Sequence, residues 1–263
     1  MIARLLPALL ATLPMVCTQA FAAPLLDDSG TAVPTQPPAQ RIVTLSPHAT
    51  ELVIAAGAAG RLVAAAGEAP GLPAQVIRLR TLGGIDREQM LALQPDLVIA
   101  WASGNRAGDL AWLEAQGMRV FRSEPRDLRG IAANLRAIGR LSGTRETAGQ
   151  AAVQFEQAIQ TACGELEPVP VYVAVWDRPA MSVGGQHWLN DVLRHAGMLN
   201  AYSEVERGVF AVEAEALAAK QGLRQVRLGP SEQRPLDLGR PGPRLGEAVR
   251  ALCALRMPGA LQR

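Results

Sequence analysis

Aromatic residues are scarce in this chain: Phe, Trp and Tyr together make up 4% of its 263 residues. Its core must therefore come from aliphatic side chains, and 49% hydrophobic content is enough to build a sizeable one. An excess of either charge is also missing. There are 26 Lys and Arg against 24 Asp and Glu, and the arginines are scattered, so nothing points to a nucleic-acid face. The chain has no Walker loop, no Gly-x-Gly-x-x-Gly after a strand and no Cys-x-x-Cys, so the common phosphate, dinucleotide and dithiol sites are absent. What the chain has in quantity is Ala, Leu, Gly and Pro.

Residues 1–23 have the form of an export signal. Arg4 supplies the positive end, LLPALLATLPMV the apolar stretch, and Ala20-Phe21-Ala22 the small-x-small pattern before Ala23. The stretch is shorter than the ~20 residues of a membrane span. Leu13-Pro14-Met15-Val16, ahead of Cys17, lacks a lipoprotein processing pattern. A soluble exported product cleaved near Ala22/Ala23 is expected, beginning with a Pro-rich leader over 24–40. Cys163 and Cys253 remain in the mature chain. An oxidising compartment permits a bridge between them, but nothing in the sequence brings them within reach, and the expectation is no bridge.

Beyond the leader, strand-like and helix-like segments alternate. IVTL (42–45) reads as a strand, then a helix over 48–56 with Ser46 as N-cap and Pro47 at its first position. Leu62–Ala65 and the apolar run LVIAW (97–101) read as buried strands. Asp86 caps REQMLAL; a helix over 106–116 closes on Gly117; MRVF (118–121) is a strand. Asp127 starts a helix with Leu128, Ile131, Leu135 and Ile138 on one stripe. Residues 144–165 form a long helical stretch without Pro. VPVYVAVW (169–176) restarts the strand pattern, and helices are expected over 186–197, 210–222 and 243–256. This order implies α/β lobes with parallel sheets and helices on both faces. The stretch QGLRQVRLGPSEQRPLDLGRP (221–241) holds no convincing strand, so the second lobe reads as shortened.

Three constellations could carry chemistry. Ser46 and His48 at the first strand–helix elbow could be nucleophile and base, but residues two apart at a helix start are expected to point apart, and the Gly-x-Ser-x-Gly elbow is absent. Capping already explains Ser46. His187 and His195 stand eight apart on one expected helix, about 12 Å along its axis, too far for one ion. His48, Glu68 and a second His could form a mixed metal site; solvated or capping histidines are the simpler account. Gly83-Gly84 and Gly184-Gly185 are turn glycines whose bare backbone would let a ligand approach.

RIVTLSPHATELVIAAGA (41–58), IDREQMLALQPDLVIAW (85–101) followed by Ser103-Gly104-Asn105, and RPGPRLGEAVRALC (240–253) resemble the periplasmic vitamin B12-binding proteins of ABC importers. These belong to the helical-backbone substrate-binding proteins for corrinoids, haem and ferric siderophores. The resemblance implies two α/β lobes, 41–143 and 167–263, joined by one helix over 144–166, with ligand in the cleft between them. It implies no enzymatic activity, no resident cofactor or metal, a monomer when free, and delivery of a cobalamin-like corrinoid to an ABC permease dimer in the inner membrane. Glu88 and Glu215 match the glutamates that dock on the permease. The end of the first helix (Ser46, Pro47, His48) would face the cleft, with Gly83 nearby. The family's aromatic cleft positions fall at Ala66, Leu82, Met181 and Val209, with Phe210 and Trp101 displaced from them. Arg240 matches a ligand-contacting arginine, and Asp237 lies one place from the matching aspartate. Cys253 matches one half of a family disulfide whose other half falls near Ala196. Haem or a siderophore is the alternative ligand, with His48 and Tyr202 as the candidate axial groups. A serine hydrolase using Ser46 is the alternative of another kind.

Overall fold

The computed structural model describes residues 24–256 apart from 82, 165, 221 and 229–237; the export signal lies outside them. The leader is not a free tail. It contains a small hairpin, β1 (Leu25–Leu26) and β2 (Ala32–Val33). Then follow β3 (Ile42–Thr44), α1 (Pro47–Ala55), β4 (Leu62–Ala66), β5 (Ile77–Leu79), α2 (Arg87–Leu93), β6 (Leu97–Trp101), α3 (Ala107–Ala115), β7 (Arg119–Ser123) and α4 (Leu128–Ser142). The strands form one parallel sheet in the order β5-β4-β3-β6-β7. Successive residues of its central strands feed two cores. Ile42, Leu97 and Ile99 enter one, and Val43, Val98 and Ala100 the other, as alternation on a sheet covered on both faces requires.

Local chemistry sets the helix starts. The Ser46 hydroxyl accepts from Ala49 N–H at 3.4 Å, Asp86 from Gln89 N–H at 3.0 Å and Asp127 from Gly130 N–H at 2.7 Å. Each satisfies a backbone donor that the helix leaves unpaired. The stripe Leu128, Ile131, Leu135, Ile138 is buried as expected.

The leader closes the open edge of the sheet. Asp28 N–H donates to the Arg122 carbonyl of edge strand β7 at 3.1 Å, and Arg122 N–H donates to the Asp27 carboxylate at 3.2 Å. The Asp27 side chain is fully buried and lies 3.6 Å from the Arg122 guanidinium. An edge strand so occupied offers no row of free donors to another chain.

α5 (Arg145–Gln160) is one unbroken helix, ending earlier than the expected 166. It is gripped by glycines of both halves. A methyl group at Gly139 of α4 would overlap the Ala148 side chain, and one at Gly246 would lie 3.0 Å from that of Ala158. The Thr144 hydroxyl ahead of α5 donates to the Ala56 carbonyl at the end of α1, at 2.7 Å.

The remaining elements are β8 (Val169–Ala174), β9 (Trp176–Asp177), β10 (Ala180–Val183), α6 (Leu189–His195), β11 (Met198–Asn200), β12 (Val209–Ala211), α7 (Ala214–Ala218), β13 (Arg224–Arg227) and α8 (Leu245–Arg256). They build a three-stranded parallel sheet, β11-β8-β13, and an antiparallel one, β12-β10-β9. Four expectations change here. VPVYVAVW splits after Ala174 into strands of two different sheets. Residues 210–222 are a strand and a short helix, because β10 captures Val209–Ala211 as a partner. Arg224–Arg227, in the stretch taken as strandless, pairs with β8 and buries Val226. Cys163 and Cys253 are joined by a disulfide with Cα atoms 6.0 Å apart, tying the chain just after α5 to α8.

Candidate functional site

In an open parallel sheet, ligands gather outside the carboxyl ends of the strands where strand order reverses. In the first sheet that point lies between β3 and β6: the chain runs from β3 outward to β4 and β5, then returns to β6 and β7 on the other side. The carboxyl end of β3 leads into Leu45-Ser46-Pro47-His48, and that of β6 is Trp101. In the second parallel sheet β8 plays this part, with β11 on one side and β13 on the other, and its chain continues into Trp176.

The first of these points is tightly organised. The His48 and Trp101 rings meet edge to face, centroids 5.7 Å apart. Trp101 rests against Gly104, where any side chain would overlap the indole. Asn105 ties the two strand ends together. Its carbonyl oxygen accepts from Trp101 N–H at 2.7 Å, and its amide donates to the Leu45 carbonyl at 3.3 Å. Ser103 is held by Glu124 through its N–H and hydroxyl, at 2.7 and 3.0 Å. Thus Ser103-Gly104-Asn105 is a seat for one indole, which remains 39% exposed. Trp176 is 63% exposed, its indole N–H donating to the Arg178 carbonyl at 3.0 Å.

Ser46 and His48 do not point apart: Ser46 Oγ lies 3.2 Å from His48 Nδ1. The pair is still not a hydrolytic one. A catalytic base is oriented by a third group, whereas His48 Nε2 is buried with no hydrogen-bond partner. Burial, and then the nearby Arg240 guanidinium, push the His48 imidazole down to about 4, so it is neutral at physiological pH. Arg240 reaches this place from the segment before α8. It donates to Glu51 Oε1 at 3.4 Å and to the Glu68 carbonyl at 3.3 Å. Gly242 backs onto the same carboxylate, where a Cβ would stand 2.8 Å from Glu51 Oε2. Glu51 is almost wholly buried. It lies within the motif PHATEL, but α1 periodicity alone does not single it out.

The other expected residues scatter. Ala66, at the end of β4, is buried. Gly83 is exposed, and Leu82 and Asp237 lie outside the described residues. Met181 and Val209 share a face of the antiparallel sheet with Trp176, because Met181 pairs with both Trp176 and Ala211. Phe210 points to the opposite face, where it packs on Tyr202 at 5.4 Å; it is not grouped with Met181 and Val209. The Tyr202 hydroxyl donates to the Ala216 carbonyl at 3.1 Å. Glu88 and Glu215 are both exposed, each in the first turn of its helix. Among the described residues, no three His, Cys, Asp or Glu side chains converge on a metal position, so the mixed site with His48 and Glu68 is not formed. His187 precedes α6 rather than lying on it.

A separate cavity of about 480 Å³ lies between the start of α4, the second half of α5 and residues 185–195. Gly185, His187 and His195 line it, but none of the residues matched to the family's cleft does. Its carboxylates are already engaged: Asp127 caps α4, Asp191 accepts from Leu128 N–H at 3.1 Å, and Glu156 is paired with Arg136 at 2.8 Å. It is a polar gap beside the linking helix.

Residues 42–223 match the family model described as periplasmic binding protein. The vitamin B12-binding protein of Vibrio campbellii is 32% identical over 141 residues, 52% of this chain and 51% of that protein. The one from Yersinia pestis is 32% identical over 124 residues, 46% of this chain and 44% of its own. The chain thus spans about half the length of the sequence relatives it matches. The crystal structure of the periplasmic vitamin B12 binding protein BtuF of Vibrio cholerae superposes with a TM-score of 0.70 at 27% identity, covering 82% of this chain and 96% of that one. A periplasmic heme binding protein from Pseudomonas aeruginosa shares the fold, with a TM-score of 0.69 at 22% identity over 84% and 94% of the two chains. With two parallel-sheet lobes joined through a continuous helix, the chain belongs to the periplasmic binding protein family, in its helical-backbone class.

Proposed function

We propose that this chain is a periplasmic carrier that captures a cobalamin-like corrinoid between its lobes and hands it to an ABC permease. The observation that carries this reading is the pair of exposed indoles, Trp101 and Trp176, one at each point where strand order reverses. Exposed rings supply large, stiff apolar contact area for a flat macrocycle. They take the part that Ala66, Leu82, Met181 and Val209 cannot play. The vitamin B12-binding relatives support the choice of a corrinoid. Exposed Glu88 and Glu215 offer one negative charge on each lobe, suited to orienting the carrier on a basic permease surface.

Haem is the second reading, supported by the fold shared with a periplasmic heme binding protein; iron ligation by His48 would require the other neutral tautomer, with the proton on Nδ1 and a bare Nε2. Titrating the mature chain with cyanocobalamin, hemin and a ferric siderophore, followed by Trp fluorescence and thermal shift, separates the ligands. Binding raises the midpoint through linkage. Cyanocobalamin is expected to bind tightest, and no response to any of the three overturns the carrier function.

A further inference from the structure

Among the described residues, one buried side-chain polar atom lacks a hydrogen-bond partner: His48 Nε2. Such an atom normally costs stability, on the order of 1–3 kcal/mol, so it needs an account. Its neighbour Ser46 favours one tautomer for the ring. The Ser46 hydroxyl oxygen accepts the Ala49 N–H, and its own proton is free to go to His48 Nδ1, 3.2 Å away. With Nδ1 accepting, a neutral ring carries its proton on Nε2. In that tautomer the first turn of α1 holds a donor at the place where strand order reverses, beside the Trp101 ring.

We propose that His48 Nε2–H is a ligand-recognition donor, held unpaired in the free protein for an acceptor oxygen, such as an amide carbonyl, on the bound molecule. This rests on the carrier reading and adds a residue and a polarity to it. The Arg240 guanidinium, anchored on Glu51 and the Glu68 carbonyl, stands beside the ring, and the incoming acceptor takes a place next to it. Burial, and then Arg240, disfavour a second proton on the ring, so it stays neutral and one of its nitrogens keeps a lone pair.

The proposal predicts opposite signs for two measurements on one variant. His48→Phe keeps a ring against Trp101 and removes the orphan donor. Its thermal midpoint without ligand is expected to equal or exceed that of wild type, because replacing an unsatisfied polar group by an apolar one of similar shape is neutral or stabilising. Its affinity for cyanocobalamin is expected to fall about tenfold, the worth of one hydrogen bond. A lowered midpoint with unchanged affinity makes His48 structural and overturns the proposal. Nitrogen-15 NMR of the wild-type imidazole gives a check that needs no variant. The Nε2-protonated tautomer is expected in the free protein, with a shift of that resonance on adding cyanocobalamin; the Nδ1-protonated tautomer overturns it. A wild type that binds no corrinoid, haem or siderophore removes the carrier function itself. A wild type that binds tightly, beside an equally tight His48→Phe, removes only the role of His48.

Discussion

The Arg240 guanidinium stands 3.4 Å from the Glu51 carboxylate, so a residue from the approach to α8 is tied to the first helix of the opposite lobe. The two positions are 189 residues apart in sequence. Glu51 is nearly buried while Arg240 is about one-third exposed. The carboxylate therefore has more to lose than the guanidinium when the pair is broken. Arg240→Ala is expected to lower unfolding free energy by about 1–2 kcal/mol, read from urea midpoints. A change within ~0.3 kcal/mol would assign the contact no weight.

Gly104→Ala tests the indole seat. A methyl group there overlaps Trp101, and overpacking of this kind costs about 1–3 kcal/mol. The ring must leave its place against His48. A red-shifted Trp emission and weaker cyanocobalamin binding are expected. An unchanged spectrum and affinity would show that Trp101 is not held as described.

The first of these sites was partly legible in the sequence. Ser46, Asp86 and Asp127 announced their helices because capping depends only on nearby atoms. Ser103-Gly104-Asn105 stood out as a motif, but its task could not be read: Asn105 works by reaching Leu45, 60 residues away. β13 escaped notice because Arg-Gln-Val-Arg has one buried residue and becomes a strand only through β8. That Phe210 lies on the face opposite Met181 and Val209 was not legible, because the face of a strand is set by register, which pairing with β10 decides. The disulfide was beyond reach for the same reason, since 90 residues separate its cysteines.

The bridge between Cys163 and Cys253 closes a long loop, so it removes much freedom from the unfolded chain. Cys163→Ser with Cys253→Ser is expected to cost about 2–4 kcal/mol. Thermal melts of the variant against the oxidised wild type measure it. An equal midpoint, or two free thiols by mass in the oxidised protein, would contradict the bridge.

Acid should weaken the fold in a defined window. His48 and His187 are both held near 4 by burial, from an ordinary 6.5. The unfolded chain takes up their protons below about 6.5, and the folded chain only near 4. Stability from these groups is therefore full above 6.5 and lost as pH falls toward 4. Asp28 acts the other way: burial raises its carboxyl above 3.8, so it favours the fold as pH drops through the bottom of the window. Urea midpoints between pH 7 and 4 should decline, and less steeply in His48→Phe. A flat profile would mean the imidazoles are solvated.

Glu88→Arg and Glu215→Arg should leave cyanocobalamin affinity intact while abolishing its uptake by cells that depend on this carrier. Impaired ligand binding in either variant would overturn the docking role proposed for that residue.

Bare glycines at 139 and 246 let the neighbouring helices bed directly on α5, one from each half of the molecule. A shaft seated so closely at both ends cannot swing far without lifting off its bearings. Under the carrier function proposed above, cargo is then retained by contact quality rather than by a jaw snapping shut, and letting go becomes the task of whatever levers the halves apart.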